Sequence, residues 1–182
     1  MKTLYKLLIT GLLIMTTNQA IATDLENTLN MQLKDGTVVI ELRPDLAPNH
    51  VKRIKELARK GFYDGIVFHR VIAGFMAQTG DPTGTGTGGS GQNLKAEFSK
   101  EPHVRGIVSM ARAASHDSAD SQFFIVLEDA HHLDGQYTVF GKVISGMEFV
   151  DKIKKGNAGA GGQVTDPDKI ISLKVAADVK GK

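Results

Sequence analysis

The sequence contains no cysteine among its 182 residues. The chain can therefore form no disulfide framework, and it offers no thiol as a nucleophile or as the attachment point of a lipid. An oxidising compartment accordingly poses no hazard to this protein.

The sequence also lacks an N-terminal apolar run long enough to cross a membrane. The run over residues 7–15 stops at the polar residues 16–19, whereas a membrane-spanning helix needs about 20 apolar residues. Lys2 and Lys6 precede this run, and the small-x-small sequence of residues 20–22 follows it. This order is typical of a cleaved secretory signal peptide.

We therefore predict a signal peptide over residues 1–22, cut after Ala22, and a single domain over residues 23–182. A retained N-terminal anchor is the alternative. The predicted product has no stable membrane anchor and is periplasmic, with secretion beyond the periplasm left open.

The predicted mature chain has no excess of positive or negative charge. The precursor has 22 basic and 20 acidic residues, and the loss of Lys2 and Lys6 leaves 20 of each. The sequence has no basic stripe, so we expect no nucleic-acid partner.

Two segments have the pattern of helices. Pro48 suits the first helical position, where its missing N–H costs nothing, and apolar residues then recur at helical spacing until Gly61. Residues 145–148, Ser-Gly-Met-Glu, have the pattern of a capping box for a second helix.

The remainder of the chain has the pattern of short strands. Lys34-Asp35-Gly36 lies between two apolar runs, which predicts a hairpin. Six further segments are rich in β-branched or aromatic residues and are bounded by turn residues, at 66–72, 75–78, 106–110, 122–127, 137–144 and 170–175. Many strands with few helices favour a closed barrel or a sandwich over a doubly wound sheet.

Two glycine-rich segments, residues 84–91 and 156–162, are predicted to be long connections within this domain. The first formally satisfies G-x-G-x-x-G from Gly84 to Gly89, but neither a strand before it nor an apolar helix after it is indicated. A dinucleotide site needs both. We therefore interpret this segment as a loop that borders a groove.

The six histidines do not have the spacing of a metal site. No two lie at i and i+4 on a predicted helix, and no cysteines or paired carboxylates accompany them. We predict no metal. Spacing alone does not exclude a Ser-His-Asp hydrolase, because the three residues of such a triad can be far apart in the sequence. The sequence has no G-x-S-x-G motif to support one. The histidines are His50, His69, His103, His116, His131 and His132.

Arg70 stands out because it lies in an otherwise apolar stretch, FHRVIAGFMAQTGD, at residues 68–81. One interpretation is a structural arginine whose stem packs on the domain while its guanidinium reaches water or a carboxylate. The other is a site residue whose donors face a ligand.

Together with three later blocks, this stretch resembles the cyclophilin family of peptidyl-prolyl isomerases. The resemblance extends from about Met31 to Val175, and it implies a mainly β fold, an eight-stranded antiparallel closed barrel capped by two α-helices, with a shallow surface groove. It also implies isomerisation of the bond before proline without a cofactor. The later blocks are GIVSMAR at 106–112, SQFFI at 121–125 and LDGQYTVFGKV at 133–143.

The resemblance implies a role for individual residues of that groove. Arg70 matches the catalytic arginine, Gln78 acts with it on the substrate backbone, and His69 has a supporting role. Four residues match the pocket that receives the proline ring, and these are Phe75, Met76, Phe124 and Leu133. The other residues that match the binding of substrate are Ala111, Arg112, Gln122, His132 and Tyr137.

Three positions depart from many eukaryotic members. His132 stands where cyclosporin-sensitive relatives carry tryptophan, Tyr137 where many carry histidine, and Arg112 where those members carry asparagine. Arginine and tyrosine at these places are similar to the bacterial, exported branch. The loss of tryptophan predicts weak inhibitor binding and leaves the residues matched to the proline ring and amide in place.

The partners implied are proline-containing polypeptides, unfolded or partly folded, and we expect a monomer. A chaperone module that binds peptides in the groove with little isomerase activity is the main alternative. Arg70 distinguishes the two, because isomerisation needs its donors and apolar binding does not.

Overall fold

The computed structural model describes residues 24–179, and the predicted signal peptide over residues 1–22 lies outside the described residues. Eight strands form one antiparallel sheet in the order β3-β4-β6-β5-β7-β2-β1-β8. Their bounds are β1 Thr28–Leu33, β2 Gly36–Leu42, β3 Arg70–Ile72, β4 Met76–Thr79, β5 Ile107–Met110, β6 Phe123–Val126, β7 Val139–Ser145 and β8 Ser172–Val175.

The sheet is curled, and residues 162–171 fill the space between its two edge strands, β3 and β8. At one end of this segment the N–H of Val71 donates to the carbonyl of Gly162 at 2.8 Å. At the other end the N–H of Ile171 donates to the carbonyl of Gln32 at 2.8 Å. The predicted eight-stranded antiparallel class is thus confirmed. β3 and β8 do not pair with each other, so this segment, and not a ladder between two strands, lies between the two edges of the sheet.

The first helix, α1, spans Pro48–Arg59 and begins at the predicted proline. Its buried face includes Val51, Ile54 and Leu57. Gly61 follows the helix with a φ of 69°, a left-handed conformation that glycine adopts without steric cost. This helix is confirmed at both ends.

The second helix, α2, is the single turn Met147–Val150, and the predicted capping box is wrong. Ser145 is paired with Val39 in the ladder between β2 and β7, so it belongs to the strand. The N-cap is Gly146, whose φ is 88° and which makes no side-chain hydrogen bond. A Cβ on Gly146 would lie 2.6 Å from the carbonyl oxygen of Thr37, which explains the glycine at this turn.

Apolar side chains bury themselves in two clusters. The larger fills the inside of the curled sheet and includes Phe68, Phe123 and Phe140. The smaller, which includes Met76 and Phe124, lies on the other side of β4, β5 and β6. This second cluster positions the candidate site, because a partly exposed apolar surface is built on it.

The N-terminus of α1 is capped by a distant carboxylate. Glu97 accepts hydrogen bonds from the backbone N–H groups of Asn49 at 3.2 Å and His50 at 3.1 Å, and it also contacts Nδ1 of His50 at 2.6 Å. Burial alone would raise the pKa of Glu97, but the hydrogen bonds from His50 and Asn49 outweigh it and lower the pKa below its ordinary 4.5.

We expect Glu97 to make stability depend on pH in the acid range. Since its pKa in the folded state lies below the unfolded value near 4.5, its contribution is present above that pH and is lost as the pH falls through the folded pKa. Glu97→Gln should reduce the free energy of unfolding by about 1–3 kcal/mol at pH 7, and by much less at pH 3. Urea unfolding at both pH values measures this, with the exposed Glu148→Gln as control. An equal loss at both pH values would contradict the assignment.

Candidate active site

An open groove of about 730 Å³ lies on the smaller apolar cluster. Every predicted site residue except Gln122 lines it, and these are Arg70, Phe75, Met76, Gln78, Ala111, Arg112, Phe124, His132, Leu133 and Tyr137. Gln122 lines an adjoining cavity of about 430 Å³, together with Gln78, Ala111 and Arg112. The structure therefore brings the predicted set together on one surface.

The register of three neighbouring strands puts the central residues in a row. Arg70 on β3 faces Gln78 on β4, and Gln78 in turn faces Phe124 on β6. Directly opposed residues of antiparallel strands share a face, with their Cβ atoms about 4.5–5.5 Å apart. The next residue, Phe123, points to the opposite face and into the main core. The row places a cation, an amide and an aromatic ring side by side.

Two hydrogen bonds orient the guanidinium of Arg70. Its Nε donates to the carbonyl of Gly161 at 3.0 Å, and its Nη1 donates to Oε1 of Gln78 at 3.1 Å. Gln78 donates to Gln122 at 2.9 Å, which is itself held by the carbonyl of Gly86 at 3.0 Å. Within residues 24–179, Nη2 of Arg70 has no hydrogen-bond partner. One nitrogen of an oriented cation is therefore available to a ligand.

Three of the four residues predicted to hold a proline ring form a buried apolar floor. Met76, Phe124 and Leu133 are all less than a tenth exposed, while Phe75 packs against them from a partly exposed position. The ring of Phe75 lies 5.3 Å from that of His132, centroid to centroid. The floor can accept a small apolar ring beside the cation.

Two of the departing residues, Arg112 and Tyr137, form one unit at the rim. The guanidinium carbon of Arg112 lies 4.6 Å from the centroid of the Tyr137 ring, and Nε and Nη2 donate to the carbonyl of Gln136 at 3.2 and 3.1 Å. A guanidinium over an aromatic face is attracted by the quadrupole of the ring. Arg112 and Tyr137 thus attract each other electrostatically at the rim.

The glycine-rich loop borders the groove, as predicted, through Gly84, Thr85 and Gly86. Two of its N–H groups are already bound, because the buried carboxylate of Asp81 accepts from Gly86 and from Gly88 at 2.6 and 3.1 Å. Burial alone would raise the pKa of Asp81, but its hydrogen bonds from Thr83 and the loop lower it to about 2. An internal anion therefore occupies two of the backbone donors that a phosphate bound at this loop would use.

His69 is buried next to this loop and lines the groove. A Cβ on Gly86 would lie 3.6 Å from its ring. Burial lowers the pKa of His69, which favours the neutral imidazole. A neutral ring leaves Arg70 as the cation at this end of the groove, and the supporting role of His69 stays a prediction.

A hydrogen-bonded Ser-His-Asp arrangement does occur in the protein, but its histidine and serine are buried beneath the groove, where the ring of His103 stacks on that of Phe124. Nδ1 of His103 lies 3.1 Å from Asp134, and its Nε2 lies 3.1 Å from Oγ of Ser109. Ser109 and His103 are both fully buried, and the Ser109 hydroxyl donates to the carbonyl of Thr138 at 3.0 Å. No substrate carbonyl can reach this oxygen, so the arrangement is structural and the hydrolase alternative has no support.

Two further classes of feature are missing from the part of the chain that the structure describes. Among residues 24–179, no group of three or more histidines and carboxylates is placed to hold a metal ion. Within the same range, no helix is long and apolar enough to cross a membrane.

Sequence reasoning missed one wall of the groove. Ala160, Gly161 and Gln163 line it, although the sequence predicts only a connection over residues 156–162. The glycine content was the one available signal. A backbone carbonyl that accepts from a side chain 91 positions away leaves no trace in the sequence.

The fold and the groove together define the class of protein. A sequence model of the family described as "Cyclophilin type peptidyl-prolyl cis-trans isomerase/CLD" matches residues 28–175, and the chain belongs to this family. It is a peptidyl-prolyl cis-trans isomerase, and its substrates are proline-containing polypeptides.

The chain is also similar in sequence to individual peptidyl-prolyl cis-trans isomerases. The chain is 57% identical over 173 residues to a probable peptidyl-prolyl cis-trans isomerase of Brucella suis, covering 88% of each chain. It is 50% identical over 128 residues to peptidyl-prolyl cis-trans isomerase B of Bacillus subtilis, covering 69% of this chain and 89% of that one.

Solved structures show the same fold. The cyclophilin AquaCyp293 from Hirschia baltica superposes with a TM-score of 0.77 at 27% identity, over 87% of this chain and 77% of the other. A Cryptosporidium parvum cyclophilin-type isomerase, crystallised in the presence of the dipeptide Ala-Pro, superposes with a TM-score of 0.74 at 30% identity, over 81% and 98%.

We expect the wild-type protein to resist cyclosporin and His132→Trp to gain affinity for it. An indole offers a larger apolar face than imidazole and a fixed N–H donor. Burial of one large side chain corresponds to about 1–3 kcal/mol, or roughly a five- to 150-fold lower inhibition constant. Turnover should change little, because His132 lies at the rim. Titration of isomerase activity with the drug decides this, and tight inhibition of the wild type would contradict it.

Proposed function

We propose that this isomerase accelerates X-Pro isomerisation during the folding of exported proteins, and that Arg70 stabilises the twisted amide. The observation that carries the mechanism is the orientation of Arg70. Two of its nitrogens are held by Gly161 and Gln78, and the third is available beside an apolar floor.

The reaction has a high barrier but needs no bond to be broken. Rotation about a peptide bond costs about 18–20 kcal/mol, because the nitrogen lone pair is shared with the carbonyl. Before proline the cis and trans forms differ by only about 0.5–1 kcal/mol, and they exchange over tens to hundreds of seconds. A catalyst has to bind the twisted amide better than the planar one.

Arg70 can make this distinction. As the bond twists, the prolyl nitrogen becomes pyramidal and its lone pair becomes a hydrogen-bond acceptor, which it is not in the planar amide. A guanidinium is always charged and holds its donors in a rigid plane, so the available Nη2 can donate to this nitrogen. The planar ground state offers no equivalent acceptor, and the bond is therefore made only near the transition state.

The magnitudes indicate that this bond acts together with the rest of the groove. Shortening a hundred-second step to milliseconds requires about 10⁵-fold, or roughly 7 kcal/mol. A hydrogen bond from a charged donor supplies about 1.5–3 kcal/mol of this. The apolar floor provides the remainder by fixing the proline ring and excluding water, while Gln78 and the backbone at Ala111 hold the flanking chain. Substitution of Arg70 tests this mechanism directly.

The proposal of export rests on the order of residues at the N-terminus. The predicted cut after Ala22 falls two residues before Asp24, whose carboxylate caps the first described turn, Leu25–Asn27. Removal of the predicted signal peptide would therefore take no residue from the described fold.

Protein purified from the periplasm of expressing cells is expected to begin at Thr23. Amino-terminal sequencing, or the mass of the intact protein, measures this. As a control, a variant with Ala20 and Ala22 both replaced by lysine should keep its signal peptide, because the cleavage site requires small residues. Exported wild-type protein that begins at Met1 would refute the proposed cut.

A further inference from the structure

A loop packed against the edge strand β3 contacts Arg70 directly. This loop, residues 157–163, is called the anchor loop. It closes on itself, as the N–H of Asn157 donates to the carbonyl of Gln163 at 3.0 Å and the N–H of Gly162 donates to that of Asn157 at 2.9 Å. Its middle presents the carbonyl of Gly161 to Nε of Arg70 at 3.0 Å.

The anchor loop is fastened to the strand that carries Arg70. The N–H of Val71 donates to the carbonyl of Gly162 at 2.8 Å, and the carbonyl of Val71 accepts from the N–H of Gly156 at 2.9 Å. The residue next to Arg70 is thus bonded on both sides to the base of the loop. Any shift of the loop relative to β3 changes the position of the Gly161 carbonyl relative to Arg70.

From these contacts we infer that the anchor loop positions the guanidinium of Arg70 for catalysis, with Gly162 and Asn157 as positioning residues. The inference rests on the proposed role of Arg70. An arginine side chain has several rotatable bonds and loses considerable entropy when it is held in one conformation. The bond to Gln78 fixes one nitrogen, and the bond to Gly161 fixes a second. Because the guanidinium is planar, two fixed nitrogens define the direction of the third.

Gly162 is required by the packing of the loop. It is buried with a φ of 86°, and a Cβ here would overlap Cγ1 of Ile72 and lie 3.2 Å from the carbonyl oxygen of Val71. Alanine would therefore push the anchor loop away from β3. Gly162 does not line the groove, so the substitution puts no new atom against the substrate.

Asn157 gives a second and milder way to loosen the loop. Its side-chain oxygen accepts from the N–H of Gly159 at 2.8 Å and so caps the turn Ala158–Ala160. Its side chain is exposed and does not line the groove. Asn157→Ala removes the cap, whereas Asn157→Asp keeps an acceptor of the same shape at a position that favours it.

The experiment measures kcat and KM by exchange NMR on a proline-containing peptide. Gly162→Ala is expected to lower kcat by about ten- to a hundredfold, the scale for a displaced catalytic group, with KM changed by less than about twofold. Asn157→Ala should lower kcat in the same way and Asn157→Asp should restore it. Gly65→Ala is the matched control, since Gly65 has a φ of 85° and open space around its Cβ position; it should keep the wild-type rate.

A double-substitution cycle with Arg70→Ala separates the possible causes. If the loop acts through Arg70, Gly162→Ala and Asn157→Ala cause no further loss in the Arg70→Ala background. The NMR signal of the Arg70 Nε–H, assigned by its disappearance in Arg70→Lys, should also lose its protection from solvent exchange in both loop variants.

Three outcomes would overturn the inference. One is an unchanged kcat in the loop variants. Another is the same fractional loss in the Arg70→Ala background, which would mean that the loop acts on the substrate directly and would leave the proposed function standing. The third is full activity of Arg70→Ala itself, which would overturn the proposed function as well. If Gly162→Ala does not fold, the Asn157 pair provides the same test.

Discussion

Replacing Arg70 by alanine is expected to lower kcat/KM by about a hundredfold or more, the scale for removing a donor that stabilises the transition state. The midpoint of thermal unfolding should stay within a few degrees of the wild type, because Arg70 is only partly buried and its two hydrogen bonds go to a carbonyl and an amide. A protease-coupled assay on a proline peptide measures the rate, and circular dichroism measures the midpoint.

Two further variants sharpen this test. Arg70→Lys should also fail, because a flexible ammonium cannot bind Gly161 and Gln78 and still direct a donor at the substrate. Arg43→Ala, which removes an arginine bonded to Asp45 away from the groove, should keep its activity. Near-normal turnover in both Arg70 variants would show that the guanidinium does not act on the amide.

The second large effect is expected from Phe124→Ala. Phe124 is 5% exposed, and its ring packs against those of Tyr137 and His103 at centroid distances of 5.9 and 6.3 Å. Its loss should cost about 3–5 kcal/mol of stability, and it should lower turnover because the floor of the groove no longer holds the proline ring. Activity is measured well below the unfolding temperature, so that only folded protein contributes.

The neighbouring residue provides the control for Phe124. Phe123 is 1% exposed and points to the opposite face of β6, where it packs against Tyr63 and Phe140. Phe123→Ala should destabilise the protein by a similar amount, about 3–5 kcal/mol, while the turnover of each folded molecule is retained. A folded Phe124→Ala protein with full activity would place the ring pocket elsewhere.

The elements themselves were largely predictable, because local rules decide them. β-branched or aromatic residues between turn residues marked the strands to within a few positions, and Pro48 and Gly61 marked the ends of α1. The capping box at Ser145 failed for a physical reason. Its four-residue pattern is local, but the pairing of Ser145 with Val39 in the sheet is a long-range contact that overrides it.

The sequence by itself determined which chemistry is available. The absence of cysteine excludes a thiol nucleophile, and the stretch around Arg70 supplies an invariably charged donor among apolar residues. Its resemblance to a family also named the groove residues, and the structure places them together.

Only the tertiary structure decided where each donor points. Arg70, Gln78 and Phe124 become a row through the register of three strands, and the carbonyl of Gly161 reaches Arg70 because the anchor loop closes on β3. In the same way, Ser109 and His103 have the residue types of a hydrolase, but full burial removes them from any substrate. Hydrogen-bond partners and solvent access depend on residues far apart in the chain, and no local pattern of amino acids encodes them.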